Sequence, residues 1–145
     1  MINKILLAID GSSSALNAAD YAIEMAKETK SNLEIVYIVR YAMGNIDAGI
    51  LPMEIENKEK EKAIQLINKI KKEHIDIKIK DFETVGRPAK EINKEIEKWD
   101  ADLLIIEHHT YSFFEKLFVN SVENKLLKSL TIPLLTIPEN YKFQK

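Results

Sequence analysis

Apolar and polar residues follow two rhythms along this chain, one continuous and one helical, and they alternate from end to end. Residues 5–9 (Ile5, Leu6, Leu7, Ala8, Ile9) are uninterruptedly apolar and stop at Asp10-Gly11-Ser12. That pattern predicts a strand covered on both faces that turns sharply into a helix. Ser12, Ser13 or Ser14 can cap this helix, in which Ala15, Ala18, Ala19, Ala22, Met25 and Ala26 recur at helical spacing. The small side chains on this face let the helix sit close to a sheet. Residues 33–39, rich in β-branched side chains, predict a second strand, and residues 41–52, with Gly44, Gly49 and Pro52, a flexible loop. Over residues 54–74, Ala63, Ile64, Ile67 and Ile70 fall on one helical face, with the run Lys58, Glu59, Lys60, Glu61, Lys62 mostly opposite. This predicts a long amphipathic helix with a solvated outer side.

The rhythm then changes to a period of two. Ile75, Ile77 and Ile79 alternate with Asp76, Lys78 and Lys80, which predicts a half-exposed strand whose lysines suit the edge of a sheet. Gly86-Arg87-Pro88 ends it and starts a helix with the inner stripe Ala89, Ile92, Ile96 and Trp99, the tryptophan being expected in the core. Residues 103–106 read as another buried strand. After a polar and aromatic stretch, Val122, Leu126 and Leu130 mark a last helix, and residues 133–137 a final strand.

Strands alternating with helices predict an α/β fold: a doubly wound parallel sheet with right-handed crossovers and helices on both faces. At 145 residues the chain is expected to form a single domain spanning 1–145. Composition agrees, with 46% apolar and 30% charged residues. A net charge of −2 offers no concentrated basic face for nucleic acid or an anionic membrane. Without cysteine there is no disulfide framework, thiolate zinc site or cysteine nucleophile. The first apolar run is far too short for a membrane span of ~20 residues, so the expected location is the cytoplasm.

Sheets of this kind bind ligands beyond the carboxyl ends of their strands, where the winding direction reverses. Three segments converge there: residues 10–13, the end of the second strand at residues 38–40, and residues 107–121.

The segments Ile5-Leu6-Leu7-Ala8-Ile9-Asp10-Gly11-Ser12, Val85-Gly86-Arg87-Pro88-Ala89, Asp100-Ala101-Asp102-Leu103-Leu104-Ile105-Ile106, Asn120-Ser121-Val122 and Ile132-Pro133-Leu134-Leu135 stand in an order and spacing that resembles the universal stress protein family across nearly the whole chain. The resemblance implies five strands in the order 3-2-1-4-5, the fold shared with the adenine nucleotide alpha hydrolases. It further implies that Asp10 contacts the nucleoside and that adenine packs at Ile38. Each has a plainer alternative: Asp-Gly-Ser also suits a turn and helix cap, Ile38 suits a strand core, and Gly86 suits a turn as well as close backbone approach.

Members of the family that bind ATP carry a loop G-x-x-G, nine residues, then G-[S/T], whose glycines let backbone N–H groups approach phosphate oxygens at a helix start. Here the matching positions hold Glu107, Thr110, Asn120 and Ser121, so only the serine agrees, and all four glycines, at 11, 44, 49 and 86, precede this loop. An ionised Glu107 facing a phosphate would repel it by roughly 1 kcal/mol in water and about 4 kcal/mol at a protein surface, a loss of about tenfold to a thousandfold in affinity. The expectation is therefore a dimeric stress-response or regulatory protein that does not bind ATP well and has no cofactor, working through protein contacts. The alternative is a relative with a divergent loop that uses Asp10, Ile38, Thr110, Asn120 and Ser121 to hold ATP with magnesium, or a smaller adenine nucleotide.

Catalysis is not expected, since no nucleophile elbow, Walker loop or paired-carboxylate arrangement stands out. Nor is a metal site: His108 and His109 are adjacent, point apart on an extended segment, and have no third ligand at a recognised spacing. Phe113, Phe114, Leu117 and Phe118 either close the pocket with apolar mass or form a partner surface. The resemblance also implies a homodimer joined through the last strand, Pro133, Leu134, Leu135, Thr136 and Ile137.

Overall fold

The computed structural model describes residues 1–11, 15–40, 49–108, 125–142 and 144. In chain order these form β1 (Lys4–Ile9), α1 (Ala15–Thr29), β2 (Asn32–Val39), α2 (Pro52–Glu73), β3 (Ile79–Val85), α3 (Pro88–Trp99), β4 (Leu103–His108), α4 (Lys125–Ser129) and β5 (Leu134–Pro138). The strands make one parallel sheet in the order β3-β2-β1-β4-β5, as expected. The serines at 12–14 and most of the expected loop, 41–48, lie outside the described residues.

Alternation along each strand divides the core into two layers. Ile5, Leu7 and Ile9 of β1, with Leu33, Ile35 and Tyr37 of β2 and Leu103 and Ile105 of β4, pack against the alanine face of α1 and against Ala63, Ile67 and Ile70 of α2. Leu6, Ala8, Val36, Ile38, Leu104 and Ile106 point the other way, onto Ile92 and Ile96 of α3 and Leu126 of α4. Residues 5–9 are no more than 1% exposed, which is why this strand reads as an apolar run instead of an alternation.

Local signals set the helix limits. Pro52 opens α2, where its fixed φ is already helical, and the Glu54 carboxylate accepts the Leu51 backbone N–H at 3.2 Å. Pro88 likewise opens α3, which ends at Asp100 in the left-handed conformation (φ 59°), so that the Ala101 N–H donates back to Ile96 at 3.1 Å. Asp102 then ties β4 to β1, its Oδ2 accepting the backbone N–H groups of Asn3 and Lys4 at 2.8 and 2.9 Å. These two donors hold the Asp102 carboxyl below its ordinary range. Buried His74, at the end of α2, places Nε2 3.1 Å from Asp20 of α1 and so joins the two helices on one face.

Three expectations change. The edge strand begins at Ile79, four residues later than the Ile75-Ile77-Ile79 alternation suggests; residues 75–77 form a turn, with the Ile77 N–H on the His74 carbonyl at 3.4 Å, and Ile75 is 89% exposed. A period of two cannot distinguish a strand from a turn that leads into one. Ile64 lies outside the apolar stripe of α2 and is exposed, because Ala63, Ile67 and Ile70 already fill the seam. Trp99 is half-buried at the rim of the α3 layer instead of inside it, with the Lys4 and Lys80 ammonium groups each 5.8 Å from its ring. Among the described residues, no helix is long and apolar enough to cross a membrane.

Ile92 is fully buried between α3 and the sheet. Its replacement by alanine is expected to lower unfolding free energy by about 2–5 kcal/mol in urea titration with the slope of the transition unchanged. A loss below about 1 kcal/mol would mean that α3 is not packed as described.

Candidate functional site

The sheet winds in opposite directions from β1, toward β2 and β3 on one side and toward β4 and β5 on the other. The crevice beyond the carboxyl ends of β1 and β4 is therefore the place where this topology accepts a ligand. Asp10 stands there, one residue beyond β1, and is only 6% exposed. Ile38 lies near the end of β2, 1% exposed and packed in the α3 layer. The structure thus brings Asp10 and Ile38 to one end of adjacent strands. Thr110, Asn120 and Ser121 lie outside the described residues, as do His109, Phe113, Phe114, Leu117 and Phe118. His108 is the last residue of β4.

Tyr37 is a residue that the sequence pattern did not single out. It pairs in register with Ile9 and points to the α1 and α2 side, opposite to Ile38. The ring is buried, and its hydroxyl comes so close to the turn after β1 that a Cβ on Gly11 would lie 2.8 Å from Tyr37 Oη. Glycine at position 11 is thus a packing requirement of the turn that carries Asp10. Burial, followed by the negative charges of Glu59 and Asp10, pushes the Tyr37 phenol up to about 12, so it remains a neutral hydroxyl at physiological pH. A cavity of about 310 Å3 opens beside it, lined by Gly11, Leu16, Tyr37, Glu59, Lys62 and Leu66. A tyrosine among the aliphatic residues 35–39 of β2 was the available signal, but Glu59 and Lys62 sit in a charge run that looks like any solvated helix face.

Gly86 is explained by packing as well. Its N–H donates to the Val39 carbonyl at 2.9 Å, and a Cβ there would lie 2.7 Å from the Glu91 side chain. This geometry agrees with the turn reading of Gly86. Among the described residues, no group of three His, Asp or Glu side chains could hold a metal ion.

Residues 1–138 match the pattern of the universal stress protein family. The chain belongs to this family. It is 30% identical over 146 residues to a universal stress protein of Methanocaldococcus jannaschii, covering 98% of this chain and 85% of that one. It is 26% identical over 147 residues to the universal stress protein YxiE of Bacillus subtilis, covering 94% and 99%. Among solved structures, the universal stress protein UspA of Lactobacillus plantarum superposes with a TM-score of 0.77 at 17% identity, covering 94% of this chain and 97% of that one, a likeness of fold. Membership agrees with the expectation of a stress-response protein.

The expectation of poor ATP binding, and with it that of no cofactor, is corrected. The same fold occurs in a universal stress protein in complex with cAMP (TM-score 0.67, 20% identity, 94% of this chain and 97% of that one). It occurs again in an Archaeoglobus fulgidus protein in complex with dAMP (0.57, 17%, 94% and 99%) and in an Arabidopsis thaliana protein with AMP bound (0.57, 14%, 95% and 92%). The physical basis of the expectation also fails. Repulsion by Glu107 required an ionised carboxylate facing an open pocket, whereas Glu107 is 3% exposed within β4, on the same face as Leu103 and Ile105.

The contact between Tyr37 and Gly11 is open to a double-mutant test. Gly11→Ala is expected to destabilise the protein by about 1–3 kcal/mol, and Tyr37→Phe, which removes the opposing oxygen, to restore more than half of that loss. Additive effects of the two changes in thermal or urea unfolding would show that the hydroxyl does not press on the turn.

Proposed function

We propose that this universal stress protein binds an adenine nucleotide in the crevice beyond β1 and β4, as a regulatory protein of the stress response. The observation that carries this reading is Asp10, an acidic side chain 6% exposed at the strand end where the winding reverses. A carboxylate there can accept hydrogen bonds from the ribose hydroxyls, and the base is assigned to the backbone at the end of β2, where Ile38 itself is packed in the core. Thr110, Asn120 and Ser121 are assigned to the phosphate end, where hydroxyl and amide groups and backbone N–H groups replace the family's glycines. With ATP, magnesium would accompany the phosphates as part of the ligand and reduce the charge that the loop has to meet. The residues present fit such a ligand through hydrogen-bonding groups more than through positive charge, which favours nucleotides with fewer phosphates.

Calorimetric titration with AMP, and with ATP and magnesium, tests this directly. Micromolar binding by the wild type is expected, with Asp10→Ala weakening it about tenfold or more, the scale of one hydrogen bond to a charged group. Absence of heat and of any thermal shift with both nucleotides at millimolar concentration would overturn the proposal, and equal affinity in the Asp10 variant would remove Asp10 from the site.

The same proposal takes the chain as one cytoplasmic domain, residues 1–145, that works as a homodimer through residues 133–137 and passes its signal to protein partners. The outer side of β5 supports the dimer: β5 pairs with β4 alone among the described strands, and Leu134, Leu135 and Thr136 stand half-buried along it. An apolar edge of this kind is a template for a second copy. Light scattering at micromolar concentration is expected to give the mass of two chains; the mass of one chain would remove the dimer.

A further inference from the structure

Two acidic side chains lie inside the layer between the sheet and α3. Glu34 of β2 is 0% exposed and Glu95 of α3 is 3% exposed. Glu34 shares its strand face with Val36 and Ile38, which pack on the Ile92 and Ile96 side of α3, and Glu95 is buried in the same layer, close enough to act on its carboxyl. Lys80 of the edge strand β3 places Nζ 3.0 Å from Glu34 Oε2. That is an ion contact without hydrogen-bond geometry: among the described residues no donor satisfies either oxygen of Glu34.

The surrounding cations are otherwise engaged. Lys4 of β1 donates to the Trp99 carbonyl at 3.1 Å and lies over its ring, while Lys98 of α3 lies 5.2 Å from the Phe82 ring. Among the described residues, Lys80 is the cation in contact with Glu34. One lysine cannot neutralise two buried carboxylates, and two like charges side by side at low dielectric cannot both persist. A single shared proton resolves the charge and the hydrogen bonding together. With Glu34 protonated, its hydroxyl can donate to the Glu95 carboxylate.

We propose that Glu34 and Glu95 form a proton-sharing latch that holds α3 to β2 and tightens as the surroundings acidify. Burial, reinforced by the nearby Glu95 and opposed by Lys80, pushes the Glu34 carboxyl up to about 7 from an ordinary 4.5. The closed state therefore holds a proton that the opened state releases between these values. Its added stability is fully present below pH 4.5, is lost as pH rises toward 7, and changes no further above that. A second acidic pair, Asp81 and Glu83, sits on the opposite face of β3 beside Lys71 of α2, and burial followed by Asp81 also raises Glu83 to about 7. Its titration falls in the same window, so the test needs a readout that separates the two faces.

Hydrogen exchange of the α3 amides at about pH 5.5 and about pH 7.5, corrected for intrinsic rates, supplies that readout. In the wild-type protein α3 is expected to exchange at least about tenfold faster at the higher pH, the limit for one proton over about two pH units being about a hundredfold. Glu34→Gln places a permanent amide donor against Glu95 at both pH values and is expected to reduce this ratio by about tenfold, leaving the contribution of Glu83 in place. Glu95→Gln should do the same, so the test survives if one of the two variants does not fold. A wild-type ratio below about threefold, or a folded variant that keeps the wild-type ratio within about threefold, would overturn the latch.

Discussion

Burial of β1 on both faces is the constraint on which the other features depend, because a strand with two covered faces needs a helical layer on each side and partner strands on each edge. Residues 5–9 meet that need with five consecutive apolar side chains, and β2 and β4 supply the edges in parallel register. Parallel pairing on both sides forces right-handed crossovers, and the change of winding direction at β1 opens the crevice at its carboxyl end. The site is thus a by-product of the way in which the central strand is covered.

That origin explains why the residues at the end of β1 carry both packing and chemistry. Gly11 leaves room for the Tyr37 hydroxyl, and Asp10 beside it is buried at the same turn. Tyr37 and Ile38 are neighbours in sequence that face opposite layers, so the pleat of β2 places a hydroxyl beside a cavity on the α1 and α2 side and a buried core residue on the α3 side of one strand end. Positional control of this kind comes from strands, whose side chains are fixed more tightly than those of loops.

Much of the architecture was legible in the sequence because β1, α1 and α3 obey a single rule each: a continuous apolar run, a small-residue face, and a stripe that begins just after proline. The chain was harder to read where two causes give one pattern. Residues 75–79 alternate like a strand, yet the first part of the segment is a turn, and the alternation reflects exposure of Ile75 rather than pairing. At the site, Asp10 was visible from its place after an apolar run. Tyr37 was not, since its role depends on the distance to Gly11, and nothing in a linear sequence gives that distance. Glu107 misled for a related reason: a charged residue after an apolar run reads as the start of a loop, whereas here β4 continues through it to His108, in register with β5 at Ile137.

Glu34 makes the same point within the core. By pattern it is a polar interruption of β2, which would normally argue against a central strand, yet it is paired on both sides in register with Leu6 and Lys80. The strand tolerates it because Glu95 comes from α3 at the same depth and Lys80 from the edge. Replacing the pair with aliphatic residues of similar volume would give an ordinary core, as buried ionic groups seldom add net stability. Their presence therefore favours a role in condition-dependence over one in strength. In this fold the β2 and β3 flank bears carboxyl groups with raised pKa on both faces, while the β1 and β4 crevice bears Asp10, so the proposed response to acidity and the proposed ligand site occupy different parts of one continuous sheet.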